Sequence, residues 1–210
     1  MLIQIGRFKN VITLLLVLLL SACQTVPSPD VDPNLEVFDA ANFTQQYQQR
    51  LEENSWSLKG AFGFTNDVES VQGKVFWEQA TDNTQIKLLG PLGAGSVKLS
   101  LQPNSASMQK GRKTYTANNA DELMLKVLGW QMPFESLSYW LYGLAAPDQK
   151  AWYRSGEKGE VVELQQSGWV IRFKQYRQVD GFSLFMPRKI FASHEKTGTN
   201  VRLVVTKISR

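Results

Sequence analysis

A single thiol, a single imidazole and scattered carboxylates are the groups in this 210-residue sequence with the means to do chemistry. The thiol, Cys23, closes the run Leu20-Ser21-Ala22-Cys23. Leu-small-small-Cys is the pattern of a bacterial lipobox. The match implies cleavage before Cys23, then acylation of its sulfur and of the amino group that cleavage exposes. One cysteine rules out an internal disulfide framework, and acylation explains how that thiol is tolerated in an oxidising compartment. His194 stands beside Glu195 and Lys196 near a turn and reads as a solvated surface group. Asp121-Glu122 is an acidic pair, but at the start of an expected helix it serves the cap and the dipole. No G-x-S-x-G elbow, Walker loop, H-E-x-x-H or C-x-x-C occurs. The expected chemistry is modification at Cys23, with no catalytic residue, no metal ligand set and no cofactor.

The elements that must position this thiol are read from the first residues onward. Arg7 and Lys9 precede Val11 to Leu20, which is apolar apart from Thr13. That run is short for a membrane span and has the layout of an export signal, so residues 1–22 are expected to be a lipoprotein signal peptide. Gln24 follows the cysteine. Aspartate at that place retains lipoproteins in the inner membrane under enterobacterial-type sorting, so glutamine implies the outer membrane. Pro27, Pro29 and Pro33 lie among Ser, Asp and Asn, and residues 23–38 are expected to be a lipidated flexible tether. Several acyl chains on one residue anchor stably, since each buried methylene contributes about 0.8 kcal/mol. Residues 39–210 then form one domain, anchored through Cys23 and facing the periplasm.

Without Arg7 and Lys9, 21 of the 23 basic residues remain against 19 acidic ones. That balance gives no support to a nucleic-acid partner.

Within the domain, Asp39 is placed to cap a helix whose Phe43, Tyr47 and Leu51 share a face. Period-two segments follow: Trp56, Leu58, Phe62 and Phe64; Val71, Val75 and Trp77; Ile86 and Leu88; Val97, Leu99 and Leu101. Two shorter strands turn at Lys110-Gly111. Asn119 and Glu122 open a helix as a capping box, and Gly129 ends it. Pro133 opens the next, with an apolar stripe of Phe134, Leu137, Trp140, Leu141 and Leu144. Five further strands complete the chain, from Ala151 to Ile208.

About ten or eleven strands in hairpin order, interrupted by helices, predict an unclosed antiparallel half-barrel with a helical cover. Trp56, Phe62, Phe64, Val75, Trp77, Leu137, Trp140, Leu141 and Phe173 would face its interior. A barrel of this size either fills with its own side chains or holds a ligand, and periodicity fits a packed core and a lined cavity equally well. The domain is expected to act as a monomer.

One stretch is unusual for a connection between strands. In Gly90-Pro91-Leu92-Gly93-Ala94-Gly95, glycines and a proline frame a leucine with no polar neighbour. Connections normally carry polar turn residues at the surface. Pro91, Leu92 and Gly93 are therefore candidates for a loop that presents Leu92 to a membrane, against the alternative of a tight turn whose leucine folds back onto the core.

The blocks Trp56-Ser57-Leu58-Lys59-Gly60-Ala61-Phe62, Phe76-Trp77-Glu78-Gln79, Leu88-Leu89-Gly90-Pro91-Leu92-Gly93, Leu128-Gly129-Trp130-Gln131-Met132-Pro133, Trp140-Leu141-Tyr142-Gly143-Leu144 and Gly168-Trp169 come in that order. Together they resemble the LolB family of outer-membrane receptors in the lipoprotein-localisation pathway. The resemblance spans nearly the whole chain. It implies a hydrophobic cavity under a helical lid. It also implies receipt of triacylated lipoprotein cargo from the periplasmic carrier LolA, and ATP-independent delivery into the inner leaflet of the outer membrane among its phospholipids. Lys59 departs from the arginine common there, and lysine cannot reproduce a bidentate guanidinium contact. A carrier of another lipophilic ligand, or a purely structural lipoprotein, would fit the same elements.

Overall fold

A computed structural model describes residue 32 and residues 34–52, 55–91, 95–179 and 185–209. Cys23, the signal peptide, Leu92 and Gly93 lie outside these. Asn34–Arg210 forms one compact unit, and every member of its core cluster, from Phe43 to Ile208, lies within it. The stretch carries a complete core of its own and so has what it needs to fold by itself.

Among the described residues twelve antiparallel strands form one sheet: β1 (Glu36–Val37), β2 (Trp56–Thr65), β3 (Ser70–Ala80), β4 (Asn83–Leu89), β5 (Ser96–Gln102), β6 (Ser105–Lys110), β7 (Lys113–Ala117), β8 (Ala151–Ser155), β9 (Val161–Gln166), β10 (Trp169–Gln178), β11 (Phe185–His194) and β12 (Thr199–Ser209). Their order is β1-β8-β9-β10-β11-β12-β2-β3-β4-β5-β6-β7, and the terminal strands do not pair, so the sheet is unclosed.

The count is twelve rather than ten or eleven, because β1 arises in the segment expected to be tether. There Glu36 and Val37 pair with Tyr153 and Trp152, covering the edge of β8. Phe38 fixes the pairing: its N–H donates to the Ala151 carbonyl at 2.8 Å, and its ring stacks on Phe43 at 4.4 Å. A proline-rich composition hid one aromatic anchor.

Among the described residues three α-helices accompany the sheet: α1 (Thr44–Glu52), α2 (Ala120–Leu128) and α3 (Phe134–Trp140). Asp39 accepts the Ala41 N–H, but it caps a 3-10 turn, Ala40–Phe43, that leads into α1. Phe43 is buried, whereas Leu51 is 69% exposed, contrary to the shared apolar face expected of them. Arg50 makes the contact instead, with its guanidinium 3.7 Å from the Tyr139 ring centroid. The α2 caps follow the sequence closely. Asn119 accepts the Glu122 N–H at 2.8 Å, Glu122 accepts the Asn118 N–H, and Gly129 takes φ +72° as the terminator.

One face of the sheet is covered by residues 120–146. Across the strands the inward row Leu58, Trp77, Ile86, Leu99 and Met108 runs in register, and all five are buried. Bulky β-branched and aromatic residues on one face and polar residues on the other are what a half-covered sheet requires.

Candidate functional site

The interior face and its helical cover meet through aromatic rings. Trp77 lies 5.6 Å from Phe134, Trp56 6.5 Å from Tyr142, and Trp140 5.8 Å from Trp169. Trp130, in the α2–α3 linker, stacks on Phe64 at 4.2 Å with an interplanar angle of 13°. Its indole N–H donates to Glu69 at 2.5 Å, tying the linker to the β2–β3 turn.

Eight of the nine interior candidates are buried where sheet and cover meet: Trp56, Phe64, Val75, Trp77 and Phe173 on the sheet, and Leu137, Trp140 and Leu141 on the cover. The structure brings them into one continuous core. Phe62 differs. It is half-buried and lines an open pocket of about 330 Å³, with Val71, Leu88, Val97, Leu128 and Trp130 as its apolar wall. Gly90 and Gly95, which bracket the Leu92 loop, form part of its rim. The pocket sits at the end of the sheet where β4 turns into β5. It is at the small end of the roughly 300–1,000 Å³ range for small-molecule sites. The aromatic interior beyond it is filled by the cover's own side chains.

Polar groups hold that cover down, and periodicity does not single them out. Gln166 is buried on β9. Its Nε2 donates to the Ala146 carbonyl at 2.8 Å, and its Oε1 accepts the Ala146 N–H at 2.9 Å and the Trp140 indole N–H at 3.4 Å. Tyr47 on α1 donates to the Ala145 carbonyl at 2.6 Å; burial first, and then neighbouring Tyr139, push its hydroxyl up to about 12. Arg50 donates to Ser138 at 3.1 Å and stacks on Tyr139. Asp121 of α2 accepts the Phe134 N–H of α3 at 2.7 Å, and burial raises its carboxyl above the ordinary value. Gly143 needs its lack of a side chain twice over. Its φ is +70°, and a Cβ would meet the Tyr176 hydroxyl oxygen at 2.3 Å. That accounts for the glycine of Trp140-Leu141-Tyr142-Gly143. Lys59 is exposed and pairs across the sheet with Phe76 and Lys207 on the uncovered side.

Among the described residues one buried side-chain donor is unmatched: the Trp77 indole N–H finds no hydrogen-bond partner there, and it lies among the rings of Trp56 and Phe134. An unmade bond of this kind costs about 1–3 kcal/mol.

The family model for the outer membrane lipoprotein LolB matches residues 54–207. The chain belongs to the LolB family. The outer-membrane lipoprotein LolB of Nitrosococcus oceani is 34% identical over 199 residues, covering 92% of this chain and 94% of that protein. The LolB of Chromohalobacter salexigens is 31% identical over 182 residues, covering 86% and 82%. Among solved structures, a putative outer membrane lipoprotein-sorting protein domain from Vibrio parahaemolyticus superposes with a TM-score of 0.54 at 8% identity, covering 81% of this chain and 93% of that one. A LolA superfamily protein from Nitrosomonas europaea gives 0.52 at 8% identity, covering 79% and 92%. At that identity the likeness shows the fold: the LolB family chain has the architecture of LolA superfamily proteins. The matched span covers β2 to β12 except the end of the latter, together with α2, α3 and all nine interior candidates. Among the described residues no helix is long and apolar enough to cross a membrane.

Proposed function

We propose that this LolB family member is an outer-membrane-anchored receptor. It accepts acylated lipoproteins from a LolA-type carrier between its sheet and its helical cover, and delivers them to the inner leaflet of the outer membrane. The observation that carries the reading is the aromatic interior closed by a segment held through a few hydrogen bonds, with an apolar pocket at its edge. Acyl chains released into water would cost about 0.8 kcal/mol per methylene, tens of kcal/mol in all. Transfer therefore runs from cavity to cavity and then from cavity to bilayer. Direction comes from a descending series of affinities rather than from nucleotide hydrolysis, and a step of about 1.4 kcal/mol already biases each handover tenfold.

Within this reading Cys23 carries the anchor, and Trp56, Phe62, Phe64, Val75, Trp77, Leu137, Trp140, Leu141 and Phe173 meet the acyl chains once the cover moves. The unmatched Trp77 N–H supports this assignment, because the carbonyl of an ester- or amide-linked acyl chain is the acceptor it lacks. Pro91, Leu92 and Gly93 enter the membrane, beside the pocket through which the cargo leaves. The receptor works as a monomer, facing the periplasm.

The deciding experiment mixes the untethered domain with loaded LolA. Lipoprotein passing to the domain, and onward into added vesicles, is the expected result. If none passes while the domain still binds an apolar fluorophore, a carrier of another lipophilic ligand replaces this reading.

A further inference from the structure

A second depression adjoins the first, sharing Phe62 and Gly90 with it, and opens on the uncovered face of the sheet. It has a volume of about 510 Å³ and lies at the base of the β4–β5 connection. Ala61 and Gly63 of β2 contribute to its floor, Lys74 and Arg202 flank it, and Leu89 and Pro91 form its outer end. The register explains the arrangement. Ala61 pairs with Lys74 on one side and Gly63 with Arg202 on the other, so the two cations rise from the strands bordering β2. Both are exposed, and among the described residues neither makes an ion pair. The depression is thus cationic at its sides and apolar toward Pro91.

Gly63 is informative here. A Cβ there would meet only Arg202 Cβ at 3.8 Å and the Val71 carbonyl at 4.0 Å, which is ordinary contact. Gly73, by contrast, would put a Cβ 1.9 Å from the Leu89 carbonyl, so the sheet's own packing demands that glycine. Packing does not demand Gly63. What its small size does is leave the floor between the two cations open to a bulky anion.

We propose that this groove binds the phosphate headgroup of an anionic phospholipid between Lys74 and Arg202, seating the Pro91 edge of the domain on the bilayer. The chemistry favours a lipid over an acidic protein segment. The cations border an apolar end that points to the strand connection, as a headgroup beside acyl chains requires; β3 pairs with β4 only from Lys74 onward, so a peptide extending along Gln72 and Gly73 is the alternative that the carrier arm of the test reads. The proposal rests on the membrane-delivery reading for its purpose, but its test does not require cargo.

The domain comprising residues 34–210 is pelleted at low salt with vesicles of phosphatidylethanolamine, and with vesicles in which part of that lipid is replaced by phosphatidylglycerol. Stronger binding to the anionic vesicles is expected. Lys74→Gln and Arg202→Gln should each weaken it about 5-fold, and together about 25-fold, from about 1 kcal/mol per charge near an anionic surface. Gly63→Val keeps both charges while filling the floor, and should weaken anionic binding without lowering the melting temperature. Equal binding to both vesicle types overturns the proposal. So does full binding by Gly63→Val alongside weakened charge variants, which would mean diffuse attraction rather than a site. Loss of acceptance from loaded LolA with vesicle binding intact would make the groove a protein-docking surface, and overturns it too. A parent domain that accepts no cargo defeats the delivery reading alone and leaves the vesicle result standing.

Discussion

The side-chain amide of Gln166 holds the backbone of Ala146 in both directions, donating to its carbonyl at 2.8 Å and accepting its N–H at 2.9 Å. Both residues are buried, so water cannot replace either bond. Gln166→Leu should cost about 2–5 kcal/mol in urea unfolding, because two backbone groups and the Trp140 indole lose their partner. It should also speed entry of an apolar fluorophore, since the cover over Trp140 is released. Unchanged stability would show that the segment is held elsewhere.

Arg50 is the second fastening, through Ser138 and the face of Tyr139. Arg50→Ala is expected to cost about 0.5–2 kcal/mol, the range for a cation–π contact. Fluorophore binding should become faster without becoming much tighter. Stopped-flow fluorescence reads both quantities, and a change in affinity alone would place Arg50 in the site instead of on its closure.

Trp77→Phe separates resting stability from cargo binding. Removing the unmatched N–H while keeping most of the ring should leave the empty fold as stable or up to about 1 kcal/mol more stable, after the lost ring area is set against the removed donor. Binding of ester-linked lipid should weaken, and binding of the ether-linked analogue should not. Equal losses for both lipids would mean that Trp77 contributes shape only.

Asp121 predicts a pH dependence. Burial is the main cause of its raised pKa; the Phe134 N–H opposes the shift and Glu135 adds to it. The folded chain holds this proton more tightly than the unfolded one. The contribution of Asp121 to stability is therefore fully present below the ordinary carboxylate value, and is lost as pH rises through the raised one. Asp121→Asn keeps an acceptor for Phe134 without the charge. Its advantage over the parent should grow as pH climbs from about 3 to 6, measured by urea unfolding across that window. A gap that widens toward low pH instead would reverse the assignment.

Leu92→Asp tests the proposed membrane loop. A charge at its tip should leave acceptance from loaded LolA intact and slow incorporation of cargo into vesicles by tenfold or more, an effect of about 1.4 kcal/mol or greater. Loss of acceptance with normal incorporation would move the loop's role to the carrier.

Much of the architecture was legible because its signals are local. Alternation of side chains placed β2 to β12, and the Asn119–Glu122 box with Gly129 bounded α2 almost to the residue. The interior aromatics were likewise legible as a set, since parity puts Trp56, Phe64 and Trp77 on one face. Three things were not. β1 depends on Phe38 finding Phe43 and Tyr153, a contact between distant segments. The face of α1 depends on Arg50 reaching Tyr139, and a guanidinium on an aromatic ring leaves no mark in hydropathy. The pins of the cover depend on Gln166, a polar residue amid a strand that reads as ordinary alternation.

The seam between β12 and β2 sets when this sheet can exist at all. Thr206 donates to the Lys59 carbonyl at 2.8 Å across 147 residues of chain, and the pairing runs from Asn200 opposite Thr65 to Ser209 opposite Ser57. Strands β2 to β7 on one flank and β8 to β12 on the other are meanders of neighbouring hairpins that can form early. The junction between them must wait for the strand pairing most remote in sequence among the described residues, the kind that slows folding most. Until β12 is available, the outer edge of β2 has no partner. The two flanks of the sheet are then aligned in a single late event.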